Sequence, residues 1–200
     1  MLNPEEIYLL NSTLNFWFCE ESEPLWFCST PEFDQKIRSQ FLSLYERAAS
    51  GGCDSWSETP LGAVALCVLL DQFPRNMFRG NARAFATDAL VLAIARSALD
   101  RGFDEALLDA LPCTSRLRAW TAPMAKFLVL PFEHSENPAD QDVAVHKFTE
   151  QGNGEQLRFG LLHRDVILRF GRFPGRNRAL GRVSTPEELA WLDSPEGKLF

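Results

Sequence analysis

Apolar residues recur with a helical period through most of this chain, and the stretches that carry them open alike. Asn3-Pro4-Glu5-Glu6, Thr30-Pro31-Glu32, Thr59-Pro60, Asn137-Pro138 and Thr185-Pro186-Glu187-Glu188 each place a capping side chain before proline, often followed by acid. Asn or Thr accepts from the free amides of a first turn, proline loses no hydrogen bond there, and carboxylates suit the positive dipole end. Thr185 with Glu188 also has the spacing of a capping box. The first helix is expected over about Pro4–Cys19, with Ile7, Leu10, Leu14 and Trp17 or Phe18 on one face. The second covers about Pro31–Ala49, with a stripe of Phe33, Ile37, Phe41, Leu44, Tyr45 and Ala48, and Gly51-Gly52 stops it. A third, about Pro60–Phe73, is apolar nearly all round and should be central.

An Ala- and Leu-rich helix follows over about Ala82–Arg101, closed by Gly102, with a short one near Asp104–Leu111. Pro112 and Pro123 obscure the start of a helix that ends near Leu130. Helices near Pro138–Gln151, Glu155–Phe170 and Pro186–Leu192 complete the series. No alternating run bounded by turn residues points to a sheet. The fold class is all-α: about nine antiparallel helices in a bundle or a tetratricopeptide-like stack of hairpins. No clean 34-residue repeat shows in the side chains. With no linker or low-complexity tract, the chain reads as a single domain over residues 1–200.

Two proline turns punctuate this pattern with related sequences. Asp71-Gln72-Phe73-Pro74-Arg75-Asn76-Met77-Phe78-Arg79-Gly80 and residues 169–182, RFGRFPGRNRALGR, both follow an apolar run and present Arg-Asn after Phe-Pro. Proline should end each helix there.

Charge sharpens the interest of these turns. Residues 71–83 carry +2 and residues 169–182 carry +5, against a total of -7, which leaves -14 on the rest of the chain. Sixteen of the twenty basic residues are Arg, and eight of those sixteen lie in the two stretches. Arg suits planar, bidentate pairing better than Lys does. The acidic remainder argues against a chain that coats DNA or an anionic membrane, and no RNA-binding motif is present.

The longest apolar run, Leu61–Leu70, is too short to span a membrane, and the N-terminus is acidic where a secretory signal would be basic. Five cysteines, at 19, 28, 53, 67 and 113, form no C-x-x-C pair, which suits reduced thiols in a cytoplasm.

With LLDQFPRNMFRG, ARAFATDA, LPFEHSE and RFGRFPGRNRALGRVSTPEE in view, the chain resembles the bacterial family catalogued as domain of unknown function 924. The resemblance runs from Phe16-Trp17-Phe18 to Pro186-Glu187-Glu188. It implies an all-helical, tetratricopeptide-like fold and supplies no settled activity. The family's second turn usually has His between Pro and Arg, where this chain has Gly175.

Candidate chemistry lies in three places. Arg75, Asn76, Arg79, Arg172, Arg176, Asn177 and Arg182 are expected to line a pocket for a small anion or a peptide carboxylate, with both turns contributing. The competing reading makes them helix-end cations paired with acids such as Asp71, Asp88 and Glu133. In Glu133-His134-Ser135-Glu136, His134 between Glu133 and Glu136 is a candidate general base, or a helix-entry loop that holds the arginines. His163, on an apolar helix, reads as a core histidine. Trp17 is a candidate pocket wall, although aromatics near helix ends are usually core.

No spacing matches a zinc or iron site, and neither metal nor cofactor is expected. The resulting expectation is a cytoplasmic helical protein whose partner is a small anionic ligand or peptide, not nucleic acid or membrane. An enzyme using His134, or an interaction scaffold with purely structural arginines, are the alternatives.

Overall fold

A computed structural model describes residues 2–152 and 154–199 of the chain. Among them every regular element is helical. The order is α1 (Pro4–Trp17), α2 (Pro31–Ala49), α3 (Pro60–Cys67), a π-turn (Val68–Gln72), α4 (Phe73–Met77), α5 (Asp88–Asp100), α6 (Phe103–Ala106), α7 (Thr121–Glu133), α8 (Pro138–Glu150), α9 (Gly154–Phe170) and α10 (Pro186–Leu192). The five capping motifs all operate. Asn3, Thr30, Thr59, Asn137 and Thr185 each accept a first-turn amide, and Asn3 and Thr185 form capping boxes with Glu6 and Glu188.

The chain clusters into two compact units, one of residues 1–79 and 83–131, the other of 80–82 and 132–200. In the first, α3 packs against α1 and α5, and the π-turn packs against α2. Leu66, Val68, Leu69, Leu70 and Phe73 are all buried, as an all-round apolar helix requires. Each such side chain contributes roughly 1.5–3 kcal/mol over an exposed one. Gly62 permits the closest approach: a Cβ there would lie 2.0 Å from the Trp56 carbonyl oxygen. Trp17, Phe18, Trp26 and Phe127 form an aromatic cluster, with Trp17 stacked on Trp26 and the other contacts edge-on, at 5.0–6.0 Å between ring centres.

The second unit is built on the α8–α9 hairpin. Gly160 of α9 faces Phe148 of α8, and a Cβ there would come within 2.9 Å of that ring. A smaller core of Val166, Ile167, Phe173 and Trp191, flanked by Phe170 and Leu192, joins α9 to α10.

Several predicted elements differ, and the short helix expected near Asp104–Leu111 is confined to Phe103–Ala106. The expected helix over Ala82–Arg101 is a 3-10 turn, Ala82–Phe85, followed by α5 from Asp88, and the Thr87 hydroxyl between them bonds a distant carbonyl described below. The helix with the obscure start begins at Thr121, so Pro123 falls in its first turn, where no N–H is needed. No helix among the described residues is long and apolar enough to cross a membrane.

Candidate functional site

The first proline turn lies within the first unit, and here the helix does not stop. The expectation that Phe73-Pro74 ends it is overturned: α3, the π-turn and α4 run without interruption from Pro60 to Met77. In a regular α-helix the Leu70 carbonyl would accept from residue 74, but proline has no N–H and its ring crowds that carbonyl. The π-turn resolves this by widening the helix, with the Phe73 N–H donating to the Val68 carbonyl. Thr87 Oγ1 then donates to the freed Leu70 carbonyl, and Arg75 Nη1 donates to the Asp71 carbonyl.

That backbone fixes the polar side chains of the turn. Arg75 lies 3.1 Å from Asp71 and 3.2 Å from Asp88. Asn76 Nδ2 donates to Asp34 at 2.7 Å, and Arg79 donates to the same carboxylate at 3.0 and 3.1 Å. Asp34 sits in the first turn of α2 and also accepts from Ser29 Oγ at 2.6 Å. Burial acts to raise its pKa, but the hydrogen bonds from Arg79, Ser29 and Asn76 outweigh it, so the carboxyl stays below its ordinary value.

The second turn lies within the second unit and is built differently. Helix α9 ends before the proline, at Gly171, whose φ of +67° is left-handed and whose N–H donates to the Ile167 carbonyl at 2.8 Å. Pro174 then opens a 3-10 turn, Pro174–Arg176. Arg172 grips Glu188 with two bonds of 2.6 and 2.9 Å, and Asn177 donates to the same carboxylate at 3.2 Å. Glu188 also takes the Thr185 N–H at 2.7 Å. The Arg172 bond leads these contacts in lowering the Glu188 pKa to about 2, with the Thr185 amide next.

Arg182 makes a second fork, to Glu136 at 2.7 and 2.9 Å, while Glu136 accepts the Phe173 N–H at 2.8 Å. Burial would raise the Glu136 pKa, but Arg182, the Phe173 amide and the charge of Arg176 together bring it below its ordinary value.

A third cluster in the same unit is the chemically versatile one. Gln141, wholly buried, donates to the Glu133 and Ser135 carbonyls at 2.6 and 2.7 Å, closing the end of α7 and holding the loop that follows. Glu133 is 4% exposed. His163 Nδ1 lies 2.9 Å from the Phe159 carbonyl and 3.6 Å from Glu133 Oε1. A carbonyl only accepts, so this contact puts a proton on Nδ1 and leaves Nε2 as the nitrogen that can gain or lose one. The His134 ring is 6.2 Å from that of His163, and the Arg176 guanidinium donates to the His134 carbonyl at 2.9 Å. Phe173 is the shared platform, with the His163 ring 5.6 Å and the Arg176 guanidinium 4.5 Å from its centre. Two imidazoles and a guanidinium thus lie around Phe173 and the end of α7, and one of the imidazoles, His163, stands beside the buried Glu133 carboxylate.

Measured against the sequence, Arg75 meets Asp71 and Asp88 as the pairing reading expects, and Glu136 meets Arg182. Glu133 stands beside His163, and His163 is partly exposed where a core histidine is expected. Of the acids that organise the turns, Glu188 was legible only as a partner of Thr185 in a capping box, and Asp34 was not singled out by the sequence at all. Trp17 takes no pocket-wall position: it is 0% exposed, because the apolar stripe of α1 turns it into the aromatic cluster. Asn76 and Asn177 are buried as well. Among the described residues no three His, Cys, Asp or Glu side chains gather as metal ligands would.

A family model described as "Bacterial protein of unknown function (DUF924)" matches residues 13–196. A solved structure, that of the protein of unknown function ATU0120 from Agrobacterium tumefaciens, is similar at 36% identity and a TM-score of 0.81. The match covers 94% of this chain and 98% of that one. No curated protein matches.

Proposed function

We propose a ligand-binding role from the site itself, since the chain belongs to DUF924, a bacterial family of unknown function. The ligand is a small anion, a phosphate or a carboxylate group, taken up in the second unit by His134, His163 and Arg176. The observation that carries this reading is the meeting of His163 and Arg176 on Phe173, with the His134 ring 6.2 Å from that of His163 and its carbonyl held by Arg176. Guanidinium supplies a planar fork for an oxyanion, and imidazolium supplies charge that pH adjusts. Under this reading Arg75, Arg79, Arg172 and Arg182, each within ion-pair distance of a carboxylate, form the frame and not the pocket. The tetratricopeptide-like stacking belongs to the same proposal and draws support from the α8–α9 hairpin. So does a cytoplasmic location, for which the five free cysteines speak.

A second reading, an acid–base enzyme, draws on one contact. Glu133 lies 3.6 Å from His163 Nδ1, near enough to favour an imidazolium, while the Phe159 carbonyl orients the ring so that Nε2 acts as base. His163 then takes the role that sequence reasoning offered to His134.

Titration of phosphate and of acetate, followed through the imidazole proton resonances, tests the first reading. His134 and His163 should shift together at millimolar anion, and Arg176→Ala should abolish the shift. Unmoved resonances in the native protein would remove the anion site. The enzyme reading adds a pH–rate profile that His163→Gln eliminates.

A further inference from the structure

The first unit carries a surface cleft of about 380 Å³, at the small end of ligand pockets, which run from about 300 to 1,000 Å³. Its walls include Asn15, Phe16, Cys19, Glu21, Lys36 and Arg116, none of which figures in the site above. Phe16 is held rigidly from behind, stacked on Phe33 at 5.6 Å and edge-on to Phe41 at 4.9 Å. Lys36 Nζ stands 5.3 Å from the centre of the Phe16 ring. Arg116 donates through Nε to Asn15 Oδ1 at 3.1 Å, which orients the guanidinium and leaves its two Nη groups for another acceptor.

Glu21 is the one carboxylate in this wall. Its own backbone amide, then the Cys19 thiol, then the charges of Arg116 and Lys36 lower its pKa, so it is ionised at neutral pH. The cleft therefore offers two cations and one anion over an aromatic face. A simple anion would find Glu21 opposed to it, and a simple cation would find Lys36 and Arg116 opposed. A molecule with both charges a few bonds apart satisfies all three.

We propose that this cleft binds a small zwitterion, a free α-amino acid, with its carboxylate on Arg116 and Lys36, its ammonium on Glu21 and its side chain along Phe16. The site is independent of the second-unit reading and of its fate.

Cys19 is a built-in reporter, because it lines the cleft while Cys28 and Cys113 are exposed and outside its walls. The native protein is alkylated with iodoacetamide in the presence of each common amino acid in turn, and each cysteine is followed by peptide mapping. At least one amino acid should slow Cys19 by roughly threefold or more at saturating concentration, leaving Cys28 and Cys113 unchanged. Its N-acetyl and amide derivatives, each lacking one charge, should give no protection. Arg116→Ala should remove the protection, and Glu21→Gln should make the N-acetyl derivative protect as well as the parent. Both residues are exposed, so the variants should fold. Failure of every amino acid to protect Cys19 overturns the proposal. Equal protection by the N-acetyl derivative or by inorganic phosphate in the native protein also overturns it, in favour of a plain anion site.

Discussion

The two proline turns share Phe-Pro and Arg-Asn, yet their backbones reach that sequence by different routes. In the first, the helix passes through the proline by way of a π-turn, and Thr87 takes the carbonyl that proline leaves. In the second, Gly171 has already ended the helix, and proline opens a 3-10 turn. The polar outcome is nevertheless the same. Each turn commits its Asn amide and one arginine fork to a single carboxylate in the first turn of a helix that begins Thr-Pro: Asp34 of α2, and Glu188 of α10. The shared Asn therefore docks each turn onto a helix start. The forking arginine comes from a different position in each, Arg79 after Arg-Asn and Arg172 before Phe-Pro, and the backbone that delivers them differs as well. The two devices also differ in depth. The Arg79 side chain is 62% exposed and Asp34 is 18% exposed, against 28% for Arg172 and 3% for Glu188.

The largest effect should come from the deeper device. Glu188→Ala removes the acceptor of Arg172, Asn177 and the α10 capping box together, and it should lower the urea midpoint well beyond Asp34→Ala, whose exposed pair contributes about 1 kcal/mol or less. Equal losses would break the ranking by depth. The acid limb offers a parallel check. The folded Glu188 pKa of about 2 lies below the 4.5 of an ordinary Glu, so the unfolded chain takes up its proton first as pH falls. The stabilisation is complete above about pH 4.5 and disappears as pH falls towards about 2, and Glu188→Gln should flatten that part of the stability profile.

Next in size is Thr87→Val, which leaves the Leu70 carbonyl of the π-turn without its donor and should cost about 1–3 kcal/mol in chemical denaturation. The second turn has no counterpart to this hydroxyl. A neutral result would mean that the helix, and not Thr87, stabilises the π-turn. Gly171→Ala tests the other backbone. At φ +67° a Cβ is disfavoured although nothing lies within 4 Å of it, so the loss should be about 1 kcal/mol. The smallest effect belongs to Arg79→Ala, at about 0.5 kcal/mol or less and further reduced by salt, while Arg172→Ala should be clearly larger and less salt-sensitive.

Much of the fold was legible because its signals are local. A cap side chain and the amide it accepts are three residues apart in Asn3–Glu6 and in Thr185–Glu188, so the helix starts could be read within one turn of chain. The bounds of α2 and α10 follow directly from that grammar. Proline was misread at Phe73-Pro74 for the opposite reason. Whether a helix survives a missing N–H depends on what else can satisfy the carbonyl, and Thr87 arrives from 17 residues away. The candidate site shows the same division. Arg and Asn at the two turns were visible as a pattern, and Asp71 and Asp88 could be named for Arg75, but not Asp34 and Glu188, which hold Arg79 and Arg172.

The amino-acid sequence by itself determined the helical class, the places where helices begin, the burial of α3 and the segregation of arginine into two turns, since each depends on residues within a few positions of one another. Tertiary structure alone decided that Asp34 takes Asn76 and Arg79 from 42 and 45 residues away, that Glu136 takes Arg182 from 46 away, and that Glu133 stands beside His163. Charge pairing is non-directional along the chain. Any of the 27 acids could have met any of the sixteen arginines, and only the packing of helices selects which guanidinium reaches which carboxylate.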